Sequence, residues 1–274
     1  MLATFILPVG TIAIMACISG VLLSAADKFL SLPVDERFAL VRDALPGANC
    51  GACGYAGCDS YATALVDGSE ARANLCTPGG SSVAAAIGDM LGLSAGASTP
   101  QLAFVKCQGI PEHCERTADY QGPKNCKAAR MVAGGETGCQ YGCYGFGDCM
   151  KVCPYNAIYI RDGIAFIDPD YCKACTLCIA ECPQQLIELR PRAAQHYVSC
   201  SSKDKGAAAR KICTTACIAC GLCVRNCPVD AIAVEDNLAH IDPEKCINCG
   251  ACAEKCPTKA IIRMEIDIEQ TLQS

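Results

Sequence analysis

Two runs near the C-terminus, CIACGLCVRNCP at 217–228 and CINCGACAEKCP at 246–257, each set four cysteines at C-x2-C-x2-C-x3-C-P spacing. Thiols this crowded leave few folds open. A single tetrahedral zinc draws its cysteine pairs from either side of a longer loop, and a disulfide scaffold belongs to short secreted chains. A cube of iron and sulfide instead takes three thiolates from one tight loop and a fourth from elsewhere, and in paired runs the fourth cysteine of each serves the other cube. The runs therefore assign Cys217, Cys220, Cys223 and Cys256 to one [4Fe-4S] site, and Cys246, Cys249, Cys252 and Cys227 to its neighbour. Pro228 and Pro257 end each loop and turn the fourth ligand away. Short strands at 231–234 and 261–263 are expected to close a small β/α unit.

The same pattern occurs earlier at an offset of 74 residues. Cys126, Cys139, Cys143, Cys149, Cys153, Cys172, Cys175, Cys178 and Cys182 fall in step with Cys200, Cys213, Cys217, Cys223, Cys227, Cys246, Cys249, Cys252 and Cys256. Flanks repeat too, IDPDYC with IDPEKC and CPYNAI with CPVDAI. The first copy has Phe146 where the second has Cys220. We expect Cys139 to swing into that vacated corner, making one site of Cys139, Cys143, Cys149 and Cys182; a three-iron cluster or an empty site is the alternative. Cys172, Cys175, Cys178 and Cys153 form the other site.

Upstream, LPGANCGACGYAGC and the later CTPGG give Cys50, Cys53, Cys58 and Cys76 a C-x2-C-x4-C-x17-C spacing, with glycines that let backbone wrap closely around a cluster. Five sites result. Cys107, Cys114, Cys126, Cys200 and Cys213 remain, and four of them are candidates for a sixth cluster, drawn as Cys107, Cys114 and Cys126 with Cys200 or Cys213. Plain reduced thiols are the alternative. His113, beside Cys114, reads as a surface histidine.

With 26 cysteines but no Trp and only 6 Phe and 9 Tyr, the clusters must serve as cores themselves. The formal charge of −5 becomes roughly −15 with five clusters and their thiolates bound. Nucleic-acid binding is excluded. MLATFILPVGTIAIMACISGVLLSAA carries no charged residue and as a helix would reach about 39 Å, enough to cross a membrane once. It lacks the basic n-region of a cleaved signal, despite the small residues Ser24, Ala25 and Ala26; Cys17 reads as a packed membrane residue. Lys28, Arg37 and Arg42 follow the span and place the body in the cytoplasm, where thiols stay reduced.

The expected fold class is α+β: a transmembrane anchor at 1–27, a four-cysteine iron-sulfur domain at 33–93, a linker and extra-cysteine segment at 94–138, and ferredoxin-like modules at 139–192 and 193–274. Helices are expected at 33–44 and 81–93, and SAGASTPQ reads as a linker. There is no G-x-G-x-x-G after a strand, no P-loop and no nucleophile-base pair, so no catalytic residue is assigned.

The span, the C-x2-C-x4-C-x17-C motif with CTPGG and the tandem repeats together resemble the B subunit of the Rnf complex, the membrane ferredoxin:NAD+ oxidoreductase, in its longer form. The resemblance covers nearly the whole chain, and residues 46–80 are its most specific part. It implies an electron relay from soluble ferredoxin to membrane subunits that move Na+ or H+, with NAD+ reduced elsewhere. An electron-entry subunit of another membrane redox enzyme, such as a hydrogenase, is the alternative, and a zinc scaffold without redox role is a second. Arg190, Arg192, Lys203, Lys205, Arg210 and Lys211 are the candidate docking patch for an acidic ferredoxin.

Overall fold

The computed structural model describes residues 2–30, 35–96, 99–132 and 135–264, with the side chains of 2–9, 11 and 27–30 outside the description. Helix α1 runs Leu2–Leu30. Among the described residues, no helix is long and apolar enough to cross a membrane; of the expected span, residue 1 and the side chains of 2–9, 11 and 27 lie outside the description. The described part of α1 nevertheless exposes Ile12, Ile14, Met15, Ile18, Val21, Leu22 and Leu23.

The next unit is helical. α2 (Glu36–Ala44) starts where Asp35 caps the Arg37 N–H, a side-chain acceptor meeting an orphan donor of the first turn. The first residues of the expected 33–44 helix lie outside the description. α3 (Cys58–Val66) and α4 (Gly80–Leu91) pack with α2 around Val41, Tyr61 and Ile87, all fully buried. α4 ends on Gly92 in the left-handed region, as a helix C-terminus favours.

The rest is built twice. β1 (Gln101–Val105), α5 (Cys126–Met131), α6 (Asp148–Lys151), β2 (Ile158–Arg161), β3 (Ile164–Ile167), α7 (Leu177–Glu181) and β4 (Ile187–Pro191) make the first copy. β5 (His196–Val198), α8 (Gly206–Ile212), α9 (Leu222–Arg225), β6 (Ile232–Glu235), β7 (Leu238–Ile241), α10 (Ala251–Glu254) and β8 (Ile261–Arg263) make the second. Each copy has two antiparallel pairs: β2 with β3 and β1 with β4, then β6 with β7 and β5 with β8. The hairpins turn on Asp162-Gly163 and Asp236-Asn237, all four at positive φ, as two-residue turns between twisted strands require.

The segment expected to be a linker with extra cysteines departs from that expectation. Residues 101–105 form an edge strand on β4 and α5 packs on the first module, because an apolar QLAFV run buries itself against the sheet.

Candidate iron-sulfur sites

The loops that carry the cysteines share one backbone path. Gly145, Ala174, Ala219 and Asn248 are left-handed two residues after the first position of each run. Gly147, Thr176, Gly221 and Gly250 are left-handed at the start of the short helix, and Asn156, Gln185, Asp230 and Lys259 after each Cys-Pro. Non-glycine residues held there cost about 1–3 kcal/mol each, and such strain gathers at functional sites. The loop containing Phe146 keeps the same path as the other three. It is the same loop with one corner filled differently.

Among the described residues, three cavities of about 480, 400 and 350 Å3 are each walled by four or more thiols. The smallest is lined by Cys217, Cys220, Cys223 and Cys256, the set expected from the second repeat. The middle one is lined by Cys126, Cys143, Cys149 and Cys182. Here the expected Cys139 is absent and Cys126 stands in its place. Phe146 packs against Tyr120 at 5.6 Å between ring centres, in a small cluster with Tyr144, Ala129 and Cys126. Cys126 opens α5, and its N–H donates to the buried carboxylate of Asp148 at 2.7 Å. The largest cavity is lined by Cys107, Cys114, Cys139, Cys200 and Cys213, together with Cys143, which also walls the middle one. Of the five cysteines set aside for a sixth site, four converge there; Cys126 does not, and Cys139 joins them.

The repeat alignment changes with this. Lys106 N–H donates to Leu186 O and Ser199 N–H to Ala260 O, both at 2.8 Å. Leu186 and Ala260 are repeat partners, so Cys107, not Cys126, is the counterpart of Cys200. The flanks FVKC and YVSC carried that signal; the uniform 74-residue offset hid it, because the first copy holds a longer loop after Cys107.

The remaining sets are recognised by their mutual electrostatics. Burial, then Cys172, Cys175 and Cys153, pushes the Cys178 thiol up to about 12. Burial raises Cys76 to about 11, with Cys58, Cys53 and Cys50 adding to it. Cys252 is raised by burial and then by Cys246 and Cys249; Cys227, whose Sγ accepts the Ala231 N–H at 3.3 Å, completes that set by repeat with Cys153. Cys107, Cys139, Cys149 and Cys223 are likewise pushed up by burial, to about 12, 11, 12 and 11. Burial of this kind disfavours the free thiolate, and a bound cation would offset it.

Among the described residues, no three His, Cys, Asp or Glu side chains close around a single metal ion. The four-thiol cavities fit a polynuclear group. His113 pairs with Thr214 at 3.4 Å and does not line the cavity beside it.

The basic patch is partly dissolved. Arg190 is buried over the rings of Phe104 and Tyr197, and Arg192 pairs with Asp170 at 3.2 Å. Lys203, Lys205, Arg210 and Lys211 are exposed.

Residues 45–78 match the family described as "Putative Fe-S cluster", and 216–260 match "4Fe-4S dicluster domain". The chain is 46% identical to the B subunit of the Na(+)-translocating ferredoxin:NAD(+) oxidoreductase complex of Acetobacterium woodii, over 89% of this chain and 74% of the relative. It is 41% identical to the B subunit of the proton-translocating ferredoxin:NAD(+) oxidoreductase complex of Clostridium ljungdahlii, over 87% and 84%. A third relative, the B subunit of the ion-translocating oxidoreductase complex of Methanosarcina acetivorans, is 40% identical over 86% and 91%.

Proposed function

The chain belongs to the B subunit family of the ion-translocating ferredoxin:NAD(+) oxidoreductase, the Rnf complex, and from that premise we propose how its cysteines divide the task. It is an electron-relay subunit of that oxidoreductase and carries iron-sulfur clusters. Such clusters supply low-potential one-electron carriers, tuned by burial and by hydrogen bonds to their sulfurs. The chain's own residues hold, insulate and tune them.

Our reading assigns five [4Fe-4S] sites. Cys50, Cys53, Cys58 and Cys76 hold the first. Cys153, Cys172, Cys175 and Cys178 hold the second. Cys126, Cys143, Cys149 and Cys182 hold the third, with Cys126 replacing the Cys139 expected from spacing. Cys217, Cys220, Cys223 and Cys256 hold the fourth, and Cys227, Cys246, Cys249 and Cys252 the fifth. The observation that carries this is the pair of cavities, each lined by one such foursome on a strained, repeated loop. Tyr155, pushed up to about 12 by burial, also feels Cys175 and then Cys50, Cys76 and Cys58. This supports a direct path between the N-terminal domain and the first module.

Soluble ferredoxin is the donor in this reading, and membrane subunits of the same complex are the acceptors. No nucleotide motif lies in this chain, so NAD+ is reduced on another subunit. Helix α1 anchors the chain by a single pass, supported by its ring of exposed apolar residues, with the cluster domains cytoplasmic as the flanking Arg37 and Arg42 favour. The test is spectroscopic. The full chain, prepared anaerobically in detergent, should be brown and should bleach on addition of reduced ferredoxin. A colourless zinc-loaded chain, or a brown one that ferredoxin does not bleach, would overturn the reading.

A further inference from the structure

The two copies face one another across a local two-fold axis. Phe104 and Tyr197 are repeat counterparts under the corrected alignment, and their rings meet edge to face at 4.6 Å. Equivalent residues touch each other only beside a two-fold, as at an isologous dimer interface. The largest of the three thiol-walled cavities lies by the same axis. Cys107 and Cys200 are counterparts, and their sulfurs accept matching pairs of amides. Gly109 and Cys143 N–H donate to Cys107 Sγ at 3.3 and 3.5 Å. Ser202 and Cys217 N–H donate to Cys200 Sγ at 3.5 and 3.4 Å.

Cys139 and Cys213 are the second pair of counterparts. Each turns back through its own carbonyl, which accepts Gly142 N–H at 3.0 Å in one copy and Ala216 N–H at 3.1 Å in the other. All four line the one cavity, two thiols from each copy. Cys114 also lines it but has no counterpart, because it sits in the longer loop of the first copy, where its backbone bridges antiparallel to Cys213.

We propose that Cys107, Cys139, Cys200 and Cys213 hold a sixth [4Fe-4S] cluster, shared between the repeats, that electrically joins the two ferredoxin modules, with Cys114 outside the ligand set. The proposal rests on the five-site reading above, since Cys143 and Cys217 belong to the third and fourth sites. Their amides reach the sulfurs of Cys107 and Cys200, so one hydrogen bond separates the shared site from a ligand of each module. Crossing the junction moves a single electron from one module to the other, with no proton transferred and no bond made. Cys114 bridges the Cys213 backbone, and the Cys213 sulfur lies 3.3 Å from Thr215 Oγ1, contacts of the kind that orient a ligand.

The test uses the full chain, purified and handled anaerobically, with iron content and electron paramagnetic resonance as readouts. Wild type should hold about 24 irons, taking four per site. Alanine at Cys107, Cys139, Cys200 or Cys213 should each lower this by about four irons and leave the signals of both modules. Cys114→Ala should keep the full complement. With Cys107→Ala and Cys200→Ala combined, reduced ferredoxin should bring at most one module's signals up on the wild-type time course. The junction is overturned if wild type holds about 20 irons while the five other foursomes each prove essential to one site. It is equally overturned if an alanine at any of the four keeps wild-type iron, if Cys114→Ala loses as much, or if the double variant reduces both modules at the wild-type rate. If instead alanine at Cys149 or Cys223 removes no iron, the five-site reading itself fails.

Discussion

Asp148 Oδ2 accepts the backbone N–H of Cys126 at 2.7 Å and so fixes the start of α5 over the first module's vacated corner. Asp148 is buried, and its other oxygen takes Lys151 Nζ at 3.3 Å. The second repeat has Leu222 at this position and no such anchor, and there Cys220 itself lines the corresponding cavity. Asp148→Leu leaves a buried amide without an acceptor, which costs about 1–3 kcal/mol, and frees Cys126. We expect it to lose stability and the first-module cluster, whereas Asp148→Asn, which keeps an acceptor oxygen, retains the iron. Equal iron in wild type and Asp148→Leu would remove Asp148 from this role.

Cys126 and Cys139 can be separated directly. Cys126→Ala should abolish the electron paramagnetic resonance signal of the site built on Cys143, Cys149 and Cys182, because it removes one wall of that cavity. Cys139→Ala should spare that signal and deplete the cavity of Cys107 and Cys200 instead. The reverse pattern would restore the assignment that spacing alone suggests.

That contrast marks what the sequence could and could not disclose. The C-x2-C-x2-C runs carry their loop geometry with them, so the gathering of Cys217, Cys220, Cys223 and Cys256 around one cavity and the helices at 36–44 and 80–91 were legible, while the hairpins at Asp162 and Asp236 were not singled out. Cys126 was not, since its role depends on where a longer loop folds back and on a carboxylate distant in sequence. Nor was the shared cavity, because counterparts meet only once two repeats dock. The buried Arg190 was misleading for a related reason. Its charge suggested a surface patch, while its neighbours Phe104 and Tyr197 draw the guanidinium inside.

The N-terminal domain should show a defined acid sensitivity. Glu70 is held down at about 2, foremost by the Arg72 side chain and then by the Arg72 amide; Arg72 Nη2 lies 2.8 Å from its carboxylate and Tyr55 OH donates at 3.1 Å. A depressed carboxylate stabilises the fold fully above its ordinary value near 4.5 and ceases to do so as pH falls through about 2. Glu70→Gln should therefore lower the Tm at neutral pH, and the gap to wild type should narrow as pH drops across that window. A gap constant with pH would mean that the charge of Glu70 is not its source.

Deleting residues 1–27 removes Ile12, Ile14, Met15 and Leu22, exposed on α1, and touches no proposed ligand. The truncated chain should be brown and leave the membrane fraction when separated from its partner subunits. If it still sediments with lipid vesicles at high salt, the single-anchor reading is wrong.

Ferredoxin docking is expected on α8. Its buried side, through Ala209 and Ile212, lines the shared cavity, while Arg210 and Lys211 are exposed on the same helix with Lys205 just before it. A donor held on that face would stand next to a cluster. Lys203 contributes less, because Asp236 already pairs with it at 3.3 Å. An acidic partner approaching a body of negative formal charge needs this local basic ground, and the attraction is screened beyond about 8 Å at physiological salt. Changing Lys205, Arg210 and Lys211 to Glu should slow reduction by ferredoxin and flatten its dependence on ionic strength, while leaving reduction by a small uncharged reductant unaltered. Stopped-flow bleaching across a salt series reads both. Unchanged kinetics with ferredoxin would move the docking face away from α8.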